Sequence, residues 1–118
     1  MPDVPPLDAE TLAGLRALDP EGGDSVVREI ATIFLEDAPG RIRDLESAAA
    51  RGDVERFIRE AHSLKGSAAS LGVSLVRQAA ESIESSTRKD GLSAGIALLP
   101  ELKSAWCESE PHLRRLLG

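Results

Sequence analysis

The chain has 118 residues, 42% of them apolar and 29% charged, with a formal net charge of −6 and a pI near 4.9. That length suits one compact domain with a single core, and the acidic balance with only 3% aromatics argues against nucleic-acid binding, which needs clustered Lys and Arg. The lone cysteine, Cys107, excludes an internal disulfide, and no apolar run approaches the roughly 20 residues that cross a bilayer.

The start, Met1-Pro2-Asp3-Val4-Pro5-Pro6, lacks a basic region followed by an apolar stretch, so it does not read as a signal peptide. Residues 1–7 are expected to form a flexible tail, or a linker cut from a longer protein, ahead of one domain over 8–118. Asp8 is a plausible N-cap for a short helix through Leu18, closed by Asp19-Pro20-Glu21-Gly22-Gly23. A second helix begins near Asp24. Val26, Val27, Ile30, Ile33, Phe34, Ala38, Ile42 and Leu45 recur along it at three- and four-residue steps. Pro39-Gly40 interrupts this run, yet the stripe resumes in phase, which predicts a kink within one helix.

Gly52-Asp53 reads as a stop followed by a start, Gly at C′ and Asp at the next N-cap. The third helix runs to Leu71, where Gly72 ends it. The fourth carries Val73, Val76, Ala79, Ala80 and Ile83 to Lys89-Asp90-Gly91. A fifth carries Leu92, Ile96, Leu99, Leu102, Trp106, Leu113 and Leu116, with Pro100 and Pro111 as irregularities; Cys107 is expected at an inert helix position, the alternative being an exposed thiol. Four long amphipathic helices with short connections predict an all-α, up-down-up-down four-helix bundle, capped by the short first helix.

On the third helix, Phe57, Ala61, Leu64, Ala68 and Leu71 share one stripe at roughly 100° per residue. His62 lies roughly 120° from that stripe and faces outward, among Ile58, Lys65, Gly66 and Ala69, with Glu55 and Arg59 nearby. Gly66 is costly in a helix interior by about 0.5–1 kcal/mol relative to Ala, which suggests room left for another backbone. Neutral imidazole, with an ordinary pKa of about 6.5, is a nucleophile near neutral pH. Spacing and chemistry alone leave this reading beside an ordinary surface histidine next to a lysine.

The run Ala61-His62-Ser63-Leu64-Lys65-Gly66-Ser67-Ala68-Ala69-Ser70-Leu71-Gly72 resembles the signature of histidine-containing phosphotransfer (HPt) domains. Phe34-Leu35-Glu36-Asp37-Ala38-Pro39 and Leu45-Glu46-Ser47-Ala48 match the preceding helix, and the likeness extends over residues 8–117. The resemblance implies a four-helix bundle with an exposed phosphorylated histidine. His62 would accept a phosphoryl group, on Nε2, from an aspartyl phosphate of a response-regulator receiver domain and pass it to a second receiver's aspartate. Lys65 would attract the phosphoryl oxygens, and Gly66 would permit close approach. Glu84, on the next helix, is a candidate acceptor for Nδ1–H, its alternative being a solvated surface acid.

Ile58, Arg59, Ser63, Ala69 and Ser70 would form the docking surface, kept low by small side chains, for a small transient interface. No metal site is expected in the chain: His62, His112 and Cys107 lack ligand spacing, and Mg²⁺ would be held by the partner receiver. The resemblance implies receiver partners or a hybrid histidine kinase; the acidic chain, its lack of a long apolar run and its expected fold point to a cytoplasmic monomer with no nucleic acid and no membrane insertion. Two other readings stand beside the carrier. One is the HPt segment of a hybrid or chemotaxis-type histidine kinase, although no Gly-rich ATP loop is present. The other is a receiver-binding module that does not transfer. Eleven Arg against three Lys, with abundant Ala, points to a GC-rich bacterial genome.

Overall fold

The computed structural model describes residues 5–118. Six helices account for nearly all of it: α1 (Ala9–Arg16), α2 (Ser25–Ala50), α3 (Val54–Leu71), α4 (Ser74–Asp90), α5 (Leu92–Ala97) and α6 (Leu99–Arg115). The long helices α2, α3, α4 and α6 form the bundle. In it α3 packs on α2 and α4, and α6 closes the ring against α4 and α2. Among the described residues no helix is long and apolar enough to cross a membrane.

Short caps set these boundaries. The Asp53 carboxylate accepts the Arg56 N–H at 3.2 Å and starts α3. Gly72, at φ 75°, ends it in a left-handed cap, with the Val73 N–H reaching back to the Ala68 carbonyl at 2.8 Å. This turn is also the anchor for the N-terminal segment. The Asp8 N–H donates to the Gly72 carbonyl at 2.7 Å, and the Ser74 N–H donates to the Pro6 carbonyl at 3.0 Å. Leu7 forms an isolated antiparallel bridge with Val73 and packs against the core. Pro6 and Leu7, assigned by sequence to a tail, are therefore tied to the bundle; Pro5 is exposed and outside any helix, and residues 1–4 of that assignment lie outside the described residues.

The core is aliphatic, as the composition requires. All five residues of the predicted α3 stripe are buried, facing Val27, Ala31, Phe34, Ala38, Ile42, Leu45 and Ala48 of α2 and Val76, Ala80 and Ile83 of α4. Three expectations need correction. Ile33 does not join the α2 stripe: it lies roughly 130° from the stripe's centre at 100° per residue and is 53% exposed. The predicted fifth helix is two, because Pro100 has no N–H to bond the Ile96 carbonyl; the ladder stops at Leu98 and α6 starts afresh with Pro100 in its first turn. Cys107 is exposed rather than packed. Pro39 and Pro111, by contrast, lie inside unbroken helices.

Candidate functional site

His62 projects from the middle of α3, its side chain 64% exposed. Its stripe neighbours Ala61 and Leu64 are fully buried, so the backbone beneath the imidazole is fixed by the core. Across the α3–α4 seam stands Glu84. It sits on the buried face of α4 beside Ile83 and Thr87, and its side chain is only 9% exposed. Glu84 is thus a buried acid and not a solvated one.

Three side chains converge on this carboxylate. His62 Nδ1 lies 3.0 Å from Oε2, Arg88 Nη2 donates to the same oxygen at 3.0 Å, and Lys65 Nζ lies 2.7 Å from Oε1. Lys65, at 2.7 Å, is the charged partner of Oε1. Burial pushes the Glu84 carboxyl upward. Lys65, Arg88 and His62 outweigh it and hold the pKa at about 2, against an ordinary 4.5.

That shift fixes the tautomer. A carboxylate ionised at neutral pH only accepts hydrogen bonds, so the Nδ1 facing it carries the proton. In the neutral ring the lone pair then lies on Nε2, the nitrogen away from Glu84. Counting charges, one carboxylate meets Lys65 and Arg88, which leaves the cluster with an excess positive charge beside an exposed nucleophile. The excess cationic charge attracts an anionic group, while the Glu84 carboxylate, 3.0 Å from Nδ1, offsets positive charge developing on the ring.

Gly66 follows one turn after His62. A Cβ built there meets nothing within 4 Å, so no neighbour among the described residues requires the glycine. Ser63, Ala69 and Ser70 are exposed, and the Ser70 hydroxyl folds back onto the Gly66 carbonyl at 3.0 Å. Arg59 is exposed and Ile58 half-buried. The structure therefore joins His62, Lys65 and Glu84 in one contact network and leaves the docking candidates around it on the α3 surface. Lys65 is 29% exposed and engaged with Glu84, not free over the imidazole.

Sequence reasoning missed Arg88. Its four-residue spacing from Glu84 was the available signal, since that spacing stacks two side chains on one helix face. His112 is half-buried near the end of α6, remote in sequence from this network.

Residues 29–112 match the family model described as the Hpt domain. A comparison with curated protein sequences gives no match. Among solved structures, the chain is similar to histidine-containing phosphotransfer protein B from Pseudomonas aeruginosa, with 24% identity, a TM-score of 0.81, and 96% of this chain and 95% of that one covered. It is also similar to histidine-containing phosphotransfer proteins of Medicago truncatula, with 21% identity, a TM-score of 0.80 and coverage of 94% and 76%. The maize protein gives 23% identity, a TM-score of 0.78 and coverage of 94% and 85%. These structural likenesses establish a shared fold.

Proposed function

Because the chain belongs to the Hpt family, whose members carry phosphoryl groups in phosphorelays and have no ATP site of their own, we propose that His62 is the phosphoryl carrier. In this reading it takes the group from a receiver-domain aspartyl phosphate and gives it to a second receiver's aspartate. The observation that carries the reading is the buried, ionised Glu84 against Nδ1 of an exposed imidazole.

The step follows from that pairing. Nε2 attacks phosphorus, the P–Nε2 bond forms, and the P–O bond to the aspartate breaks with the electron pair leaving on the carboxylate. Attack turns the neutral ring into a cation, because Nδ1 keeps its proton. Glu84 offsets that charge at 3.0 Å and no proton need move. Lys65, partly exposed on a flexible four-carbon stem, can re-aim its ammonium at a phosphoryl oxygen. Any Mg²⁺ belongs to the acidic site of the receiver and neutralises the phosphate from its side. Return transfer is the same step reversed.

The test loads receiver domains of the parent genome with acetyl phosphate and mixes each with the chain and Mg²⁺. Acid-labile, base-stable phosphate appears on the wild type and is absent from His62→Gln. Labelling retained by His62→Gln contradicts the proposal, and labelling from ATP alone would make the chain a kinase segment.

A further inference from the structure

Two helices of the bundle carry matching stripes on their outer sides. On α4 the stripe is Leu75, Gln78, Ala79 and Ser82; on α6 it is Glu101, Ser104, Ala105 and Glu108. Both follow i, i+3, i+4, i+7 spacing, which puts each set on one helix face. The two faces line a concave groove of about 440 Å³ between α4 and α6. Ala105 is buried and Leu75 and Ala79 are half-buried in it, so its base is apolar and shallow. The groove opens away from His62. Its α4 residues lie roughly 120–180° around the helix from Glu84 at 100° per residue, and Glu84 is the residue that meets His62 across the α3–α4 seam.

We propose that this groove docks a basic amphipathic helix of a partner protein, a second interface that does not depend on the phosphotransfer reading. Charge is the warrant for the occupant. Among the described residues, the charged side chains lining the groove are Glu101 and Glu108 alone, both exposed. The ion pairs of α6 among the described residues are Lys103–Glu46 and Arg114–Glu110, and neither Glu101 nor Glu108 belongs to one. The two carboxylates stand seven residues apart, about 10 Å along α6 at 1.5 Å per residue. A helix laid between α4 and α6 sets its small apolar stripe on Leu75, Ala79 and Ala105 and brings Lys or Arg side chains two turns apart to these acids. A second copy of this chain fits poorly. A two-fold pairing of the same face sets unpaired carboxylates against each other, and each copy carries a net charge of −6.

The test titrates the full chain with a labelled, amidated helical peptide of about 18 residues, long enough to hold a helix. Its probe form carries an Ala/Leu stripe flanked by Lys, and its control form replaces every Lys with Glu. The salt is about 0.15 M, which screens exposed charges beyond about 8 Å and suppresses unspecific attraction. Binding is read by fluorescence anisotropy and mapped by amide proton–nitrogen NMR. The Lys peptide is expected to bind and to shift the amides of Ala79, Ser82, Ser104 and Ala105, with the His62 amide unmoved. The Glu peptide binds at least about tenfold more weakly, and Glu101→Lys with Glu108→Lys weakens the Lys peptide by a similar factor, because each change turns attraction into repulsion. Both positions are exposed, so the double variant is expected to fold, which circular dichroism checks. Should it fail to fold, Glu101→Gln with Glu108→Gln serves, with a smaller loss in the same direction. No binding of the Lys peptide, equal binding of both peptides, or shifts confined to the His62 face overturn the proposal. A wild-type dimer in sedimentation, with the same four amides shifting as the chain is concentrated, would assign the groove to a second copy and overturn it too.

Discussion

A methyl group at Gly66 would touch nothing among the described residues, yet glycine in mid-helix is worse than alanine by about 0.5–1 kcal/mol. The two facts together place the reason for this glycine outside the folded monomer. Gly66→Ala is expected to raise stability by about that amount in urea denaturation. It should also slow transfer from a receiver by about tenfold or more, because small misplacements of reacting groups are costly. Equal transfer rates would remove the close-approach role. The wheel geometry of His62 was legible in sequence because periodicity reports which way a residue points on its own helix. The network around Glu84 was legible only in part. Periodicity does not say which residue of the next helix stands opposite, so Glu84 was a candidate while Arg88 and the Lys65–Glu84 contact went unread.

At the scale of elements, the short α5 shows what helical pattern conceals. Gly95 is buried against Thr87 of α4 and Phe57 of α3. A Cβ there would overlap Thr87 Oγ1 and come within 2.7 Å of Phe57 Cε2. Phe57 is fully buried, and Thr87 is held by its own bond to the Ile83 carbonyl at 2.6 Å, so neither yields easily. Overpacking outweighs the helix propensity gained, and Gly95→Ala is expected to cost about 1–3 kcal/mol in chemical denaturation. A neutral or stabilising effect would mean that α5 is free to shift. Pro100 was visible in sequence, but its role as the start of a new helix depended on where α5 had already turned. Ile33 was misassigned for a related reason: three- and four-residue steps admit a wide stripe, and only packing shows which edge of it faces solvent.

For the whole molecule, Glu84 links the site to stability. Its carboxyl is held at about 2 in the folded chain, against 4.5 unperturbed. The stabilisation is therefore fully present above about pH 4.5 and is lost as pH falls from there toward 2. The span corresponds to at most about 3 kcal/mol, reduced by solvent around the exposed Arg88 and His62. Thermal unfolding between pH 7 and pH 2.5 should show the wild type losing more stability on acidification than Glu84→Gln. Parallel curves would mean that the carboxylate is not held by its cations. The bundle as a class was readable from four amphipathic runs and short turns. The N-terminal bridge of Leu7 to Val73 was not, since it rests on backbone hydrogen bonds that carry no side-chain pattern.

The central claim is that His62 takes the phosphoryl group on Nε2 while Nδ1 keeps its proton against Glu84. Long-range proton–nitrogen NMR on the chain, after incubation with a phosphorylated receiver and Mg²⁺, measures this directly. The account predicts one phosphorylated ring, that of His62, substituted at Nε2 and protonated at Nδ1, with no such signal in His62→Gln. Phosphate on His112, on Nδ1 of His62, or persisting in His62→Gln would contradict it.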